Sequence, residues 1–207
     1  MSQDSVITGF WKWFSGIAMA LAADSENPAL LKELDSRIHV LDSRLSWEIG
    51  PGTVEPMQLV ISPNLDRDLK SEADKIVSHA PEIEGWEFYS ARRPKLWDYQ
   101  LEMQRPNLGG SVHVDTRTWM FVLLKYDDGY QELLLTGEGV DLLDEDERWQ
   151  AAAITLESIL GEELLLERID HFELVKEVEP QFAQSVKPIE QLRETVLAGN
   201  GGVGRQD

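Results

Sequence analysis

The sequence has no cysteine, half as many basic as acidic residues, and no uninterrupted apolar run long enough to span a bilayer. The lack of cysteine excludes disulfides, thiol catalysis, iron–sulfur clusters and zinc ribbons. A transmembrane helix needs about 20 predominantly apolar residues in succession, so the sequence predicts no membrane span. A chain of 207 residues can bury a core large enough to fold without disulfides or a structural metal.

The shortage of basic residues gives the chain a formal net charge of −19, from 38 acidic and 19 basic side chains. Binding to nucleic acid or to an anionic membrane requires clustered lysine and arginine, so neither is expected as a partner. A basic protein is the partner that this charge favours. The alternative is an acidic surface that serves only solubility or adaptation to a salty cytoplasm.

The first 24 residues carry part of the pattern of a secretory signal. An apolar stretch from Trp13 to Ala22 ends in small residues that imitate a cleavage site. A signal peptide begins with basic residues, however, and the only charge before residue 12 is that of Asp4. We therefore expect a cytoplasmic protein.

Apolar residues at helical spacing predict two helices within residues 8–43, before the first strand. Further helices are expected at 68–80 and 144–160, the second capped by Asp144 with Glu147 in a capping box. Its apolar stripe begins at Trp149 and includes Ala152, Ala153, Leu156, Ile159 and Leu160.

Strands are predicted on both sides of these helices. The clearest is 118–126, apolar on both faces, which a type I′ turn at Asp128-Gly129 would connect to a returning strand at 130–135. Residues 164–175 are expected to supply one or two closing strands, although Leu164-Leu165-Leu166 could instead extend the preceding helix past Gly161. Other strands are expected near 45–51, 58–64, 86–94, 99–104 and 111–115.

These elements predict an α+β protein with a largely antiparallel sheet of about six strands and helices packed mainly on one face. Residues 1–198 should form a single domain, and 199–207 a disordered tail. The aromatic face of the first helix is expected to pack on the protein's own sheet. In the alternative, Trp11 and Trp13 form the interface of a dimer. The sequence is compatible with a monomer and with a dimer.

Several short segments resemble an uncharacterised family of small bacterial proteins over roughly residues 10–165. The resemblance lies in aromatics, glycines and prolines, which are residues that shape folds, and it implies no activity. Similar two-layer domains occur among bacterial toxin-immunity proteins, but this analogy is one of fold and carries no function across. The segments are W-K-W-F from residue 11, W-E-I-G-P-G from 47, L-V-I-S-P-N from 59, A-P-E-I-E-G-W-E-F from 80 and A-R-R-P from 91.

Four residues could form a catalytic site. His113 and Asp115 are two apart on a predicted strand, so both leave the same face, as the first two ligands of a metal site would. No third ligand follows at a matching spacing, and we predict neither a metal nor another cofactor. Glu48 and Glu87 each follow a strand tryptophan and could act as a carboxylate pair in acid–base catalysis.

Arg92 and Arg93, with Lys95, form the only basic cluster of the chain. Arginine presents a fork of donors that matches carboxylate and phosphate groups, so the cluster could bind an anion. Pairing with the chain's own surplus carboxylates is the alternative.

The sequence thus favours a soluble, non-catalytic protein that binds a basic protein, as an inhibitor, immunity protein or adaptor does. The alternative is a small hydrolase or small-molecule-binding enzyme. It would use Glu48, Glu87, His113 and Asp115, with Arg92 or Arg93 holding an anionic group.

Overall fold

The computed structural model describes residues 3–105 and 109–198 and the backbone of Val203–Gly204. Its contacts divide the chain into two compact units, Met1–Arg92 and Arg93–Asp207, and both contain helices and strands. The α+β class is therefore confirmed. The single domain at 1–198 stays a prediction, because two compact units can belong to one domain.

The N-terminal unit begins with two helices, as predicted. Asn27 caps the second by accepting hydrogen bonds from the N–H groups of Ala29 and Leu30, and Pro28 occupies the first turn, where its missing N–H costs nothing. Its elements are α1 (Gln3–Ala23), α2 (Pro28–Leu41), β1 (Ser46–Pro51), β2 (Met57–Ser62), α3 (Arg67–Ser78) and β3 (Trp86–Tyr89).

The strands of this unit form a sheet in the order β1-β2-β3, with β1 antiparallel and β3 parallel to β2. All three helices contribute to the core on one face of this sheet. The aromatic face of α1 lies in that core, as predicted, and the Trp11 indole donates a 2.8 Å hydrogen bond to the Ile76 carbonyl. The buried side chains are Ile7, Phe10, Trp11, Phe14, Ala18, Leu21, Leu34, Ile38, Leu45, Leu59, Ile61, Leu69, Ala73, Ile76 and Trp86.

Helix α1 is long and apolar enough to cross a membrane by length and composition alone. The sequence predicts no membrane span because no uninterrupted apolar run is long enough, and Lys12 interrupts the apolar residues of α1. A third of the most apolar window of α1 is buried inside the protein. Core helices of soluble proteins and N-terminal signal sequences can also be this long and this apolar, so these properties do not establish a span.

The C-terminal unit contains a small hairpin and a larger mixed sheet with helices. Its elements are β4 (Gln100–Gln104), β5 (Ser111–Asp115), β6 (Met120–Lys125), β7 (Gln131–Thr136), α4 (Glu145–Leu160), α5 (Glu162–Arg168), β8 (His171–Leu174), β9 (Lys187–Pro188), α6 (Leu192–Ala198) and β10 (Val203–Gly204), with short 3₁₀ turns between some of them.

The predicted single six-stranded sheet is wrong, because the described strands form three sheets. Besides the β1-β2-β3 sheet there is the β4-β5 hairpin and a sheet in the order β10-β6-β7-β8, with β9 also paired to β6. Three pairings are parallel: β2 with β3, β7 with β8, and β10 with β6. Helices lie between these partners along the chain and carry it back to the same end of the sheet, which favours parallel pairing.

The predicted hairpin at β6 and β7 is confirmed, and both faces of β6 are buried. Its turn differs from the prediction. Gly129 has a φ of +93°, but Asp128 does not have the positive φ that a type I′ turn requires. The Gly129 N–H donates to the Tyr126 carbonyl, and the Tyr126 N–H donates to the Tyr130 carbonyl, as in a three-residue loop with a glycine bulge.

The chain after α4 follows both of the alternatives left open for 164–175. Gly161, with a φ of +81°, ends α4, and α5 follows at once before the strand β8. Within the predicted disordered tail, 199–207, the backbone at Val203–Gly204 forms a strand that pairs with β6. The remaining tail residues lie outside the described residues.

Candidate functional site

Glu48 and Glu87 lie on the same face of the β1-β2-β3 sheet, opposite the face that carries Trp47 and Trp86. The register pairs Glu48 with Val60 and Glu87 with Gln58, so β2 and two residues of register separate them. Strand spacing and rise place their Cα atoms about 12 Å apart.

Glu87 has a structural role in this position. Its carboxylate accepts hydrogen bonds from the backbone N–H groups of Thr53, Val54 and Glu55, which form the connection between β1 and β2. Burial alone would raise the pKa of Glu87, but these N–H groups and the Tyr89 hydroxyl outweigh burial and hold the pKa below its usual value. A carboxylate in this environment is a weak general acid.

His113 and Asp115 are both exposed on β5, with the buried Val112 and Val114 on the opposite face. The alternation predicted from the sequence is therefore confirmed. His113 Nε2 lies 3.8 Å from a carboxylate oxygen of Glu102 on the neighbouring strand.

The carboxylate of Asp115 accepts a 3.0 Å hydrogen bond from the Arg117 N–H. This bond and one from Gln100 hold the pKa of Asp115 below its usual value. Among the described residues, no group of three or more metal-ligating side chains is placed to hold an ion.

Arg92 and Arg93 stand at the boundary between the two units. Arg92 is half-buried and donates a 2.7 Å hydrogen bond to the Ser46 hydroxyl, whereas Arg93 is exposed. Both make further interactions within the protein, and the anion site stays a prediction.

A groove in the C-terminal unit, which the sequence did not indicate, combines more of the features of a binding site. It has a volume of about 440 Å³ and runs between the first half of α4 and the strand β8. Its lining residues are Glu145, Asp146, Arg148, Trp149, Ala152, His171, Phe172, Glu173 and Leu174. We refer to it as the α4–β8 groove.

Two aromatic rings form the apolar part of the α4–β8 groove. Trp149 is 55% exposed although it stands at the start of the apolar stripe of α4. Its ring stacks on that of Phe172, with the ring centroids 6.2 Å apart and the planes 28° from parallel. An exposed tryptophan in a concave surface is a frequent anchor of protein interfaces.

Acidic side chains surround these rings. Glu145 and Asp146 lie in the first turn of α4, and Glu173 lies on β8. None of the three has an ion-pair partner among the residues that the structure describes. The one arginine of the groove, Arg148, donates to the Asp144 carbonyl at 3.3 Å. The groove is therefore acidic.

The strand beside the groove is the outer strand of its sheet. Within the described part of the chain, β8 pairs only with β7, in parallel. At the other side of the sheet, β9 and β10 pair with β6. An outer strand leaves alternate backbone N–H and C=O groups without a strand partner.

The sequence did not indicate the α4–β8 groove, because the spacing of Trp149 places it on the apolar stripe of α4 and so predicts a buried side chain. Ala152, Ala153, Leu156 and Leu160 of that stripe are buried as predicted, and Trp149 is not. The acidic residues Glu145 and Asp146 just before it are the signal that could have identified an exposed aromatic. Chemically, the groove offers carboxylates, aromatic surface and a strand edge, which suit a cationic and extended ligand.

No protein-family model, curated protein or solved structure matches the chain. The resemblance to a bacterial family therefore stays a prediction, as does any function inferred from it.

Proposed function

We propose that the chain is a non-catalytic cytoplasmic protein that binds a basic partner protein, as an inhibitor, immunity protein or adaptor does. The observation that carries this proposal is the surplus of carboxylates. If each of the 19 basic side chains paired with one of the 38 acidic ones, 19 carboxylates would still have no basic partner.

The internal ion pairs support the same proposal. Several basic side chains already form ion pairs within the protein: Arg44 pairs with Asp42 and Asp66, and Arg105 pairs with Glu147. The carboxylates of the α4–β8 groove have no such pairing among the described residues. A basic protein would meet these carboxylates without displacing an internal partner.

Attraction between opposite charges mainly accelerates encounter and selects the partner. Salt screens exposed charges beyond about 8 Å at physiological ionic strength, so the complex should weaken as salt is added.

The test is a pull-down from the lysate of the source organism at low and at high salt, with quantitative mass spectrometry. An unrelated protein of matched length and net charge serves as the control for nonspecific retention of basic proteins. We expect one stoichiometric basic partner that binds this chain and not the control, and that is lost at high salt.

Two results would contradict the proposal. In one, the chain retains the same set of basic proteins as the charge-matched control. In the other, a specific partner is acidic or resists high salt, which would indicate an interface that does not depend on the surplus carboxylates.

A further inference from the structure

We propose that the α4–β8 groove binds an extended basic segment of the partner, which adds to β8 as a further strand. The choice of a basic ligand rests on the proposed function; the location and the mode of binding come from the groove itself.

The backbone of β8 supplies the first part of the argument. A peptide can add to an open sheet edge through backbone hydrogen bonds, while alternate side chains enter pockets on either side. The edge from His171 to Leu174 is four residues long, which corresponds to roughly 13 Å of extended ligand. The groove runs along this edge.

The two faces of β8 define what each side of the ligand would meet. Phe172 pairs in register with Leu133 and stacks on Trp149, so this face lies toward α4. Glu173 pairs with Leu134 and leaves the opposite face. Alternate side chains of an added strand would thus face either Trp149 or Glu173.

Lysine and arginine suit both positions. Their aliphatic stems can cover the face of an indole ring while the charged head remains near water. On the α4 side, Glu145 and Asp146 lie beside Trp149 to accept that charge, and on the other side Glu173 does so. Charge complementarity therefore favours a basic strand over a neutral or an acidic one.

The probe is a fluorescein-labelled octapeptide of alternating lysine and valine with blocked ends, titrated with the full chain and followed by fluorescence anisotropy. We expect saturable binding. An analogue with N-methyl groups on alternate backbone nitrogens keeps the charge and removes hydrogen-bond donors, so we expect it to bind at least about tenfold more weakly.

Two pairs of variants locate the binding. The double variant Glu145→Lys/Glu173→Lys should weaken binding about tenfold or more. The control is Glu190→Lys/Glu194→Lys, which changes the net charge by the same amount at exposed positions of another region. It should change the affinity less than about threefold. Trp149→Ala should also weaken binding about tenfold. Leu197→Ala, at a side chain of matching 56% exposure, should not.

No saturable binding by the octapeptide would overturn the groove as a basic-peptide site. Equal affinity for the N-methylated analogue would overturn strand addition, and equal effects of the two lysine pairs would overturn the location. If the lysate partner still binds the Glu145→Lys/Glu173→Lys variant, the groove is wrong while the proposed function stands. If no lysate partner is found but the octapeptide behaves as expected, the proposed function fails and the groove stands.

Discussion

At the scale of single residues, Glu87 illustrates how tertiary contacts decide a role that residue type leaves open. The sequence permits a catalytic carboxylate at this position. In the folded unit the carboxylate receives the N–H groups of Thr53, Val54 and Glu55, more than thirty residues earlier in the chain. Nearby, a Cβ atom at Gly52 would collide with the backbone carbonyl oxygen of Glu55 and lie 2.7 Å from a carboxylate oxygen of Glu87, so the loop requires glycine there.

Replacing Glu87 with glutamine should lower the free energy of unfolding by about 1 kcal/mol at pH 7, because charge-assisted hydrogen bonds to the loop are lost. The pKa of Glu87 is lowered in the folded protein. Its contribution to stability is therefore fully present above the unfolded pKa of about 4.3 and is lost as the pH falls through the lower folded value. Urea unfolding at pH 7 and at steps down to pH 3, followed by tryptophan fluorescence, measures the difference.

Glu82→Gln is the matched control, since Glu82 is exposed and makes no hydrogen bond or ion pair among the described residues. We expect it to leave the unfolding free energy unchanged. A Glu87→Gln effect that is no larger than that of Glu82→Gln, or that grows as the pH falls, would contradict the assigned role.

Two glycines should respond in opposite directions to the same substitution. A side chain at Gly137 would lie 2.8 Å from the Cα atom of the buried Trp119, so Gly137→Ala should destabilise the protein by about 1–3 kcal/mol. At Gly16, exposed within α1, an added methyl group would meet nothing within 4 Å, and Gly16→Ala should stabilise by about 0.5–1 kcal/mol. Thermal unfolding of both variants tests this, and shifts of equal sign would contradict it.

At the scale of secondary-structure elements, the N-terminus of α4 combines a cap that the sequence predicts with a contact that it does not. Its capping box is confirmed: the Glu147 N–H donates to the Asp144 side chain at 2.9 Å, and the Asp144 N–H donates to the Glu147 carboxylate at 3.0 Å. Glu147 also binds Arg105, which follows β4, and this contact holds the pKa of Glu147 below its usual value. Local sequence specified the cap, and a distant residue completed it.

Removing the cap by Asp144→Ala should lower the free energy of unfolding by about 1 kcal/mol, because the N–H groups of the first turn of α4 lose an acceptor. Asp146→Ala is the control in the same turn, since Asp146 accepts no such bond among the described residues. It should cost less than about 0.5 kcal/mol through the helix dipole alone. Hydrogen exchange at 145–149 and urea unfolding measure both effects, and equal losses would contradict the capping role.

At the scale of the whole molecule, the chain forms two compact units with a boundary at Arg92 and Arg93. Residues 92–98 have no regular secondary structure, and the side chain of Leu96 is fully exposed. Exposed irregular segments are preferred sites of proteolytic cleavage.

Brief treatment with trypsin should therefore cut first after Lys95. Pro94 blocks cleavage after Arg93, and the half-buried side chain of Arg92 is held by its hydrogen bond to Ser46. We expect two fragments, 1–95 and 96–207, that accumulate before further digestion, as measured by intact-mass spectrometry. In a Lys95→Gln variant this first cut should disappear. First cleavage inside a helix or strand of either unit would instead favour the prediction of one domain at 1–198.

Local sequence specifies the helices α1 to α4, the caps of α2 and α4 and the β6–β7 hairpin, because these depend on residues close together along the chain. The Asn27 and Asp144 caps, the helix end at Gly161 and the buried face of α1 all follow from local spacing. The net charge of −19 is likewise a property of composition alone.

Tertiary contacts set the division of the described strands among three sheets, the parallel pairings and the open edge at β8. Periodicity indicates which face of a strand is buried, but the identity of its neighbour depends on contacts between residues far apart in sequence. The exposure of Trp149 has the same origin. Its spacing places it on the apolar stripe of α4, and the end of the sheet at β8 leaves it uncovered beside the groove.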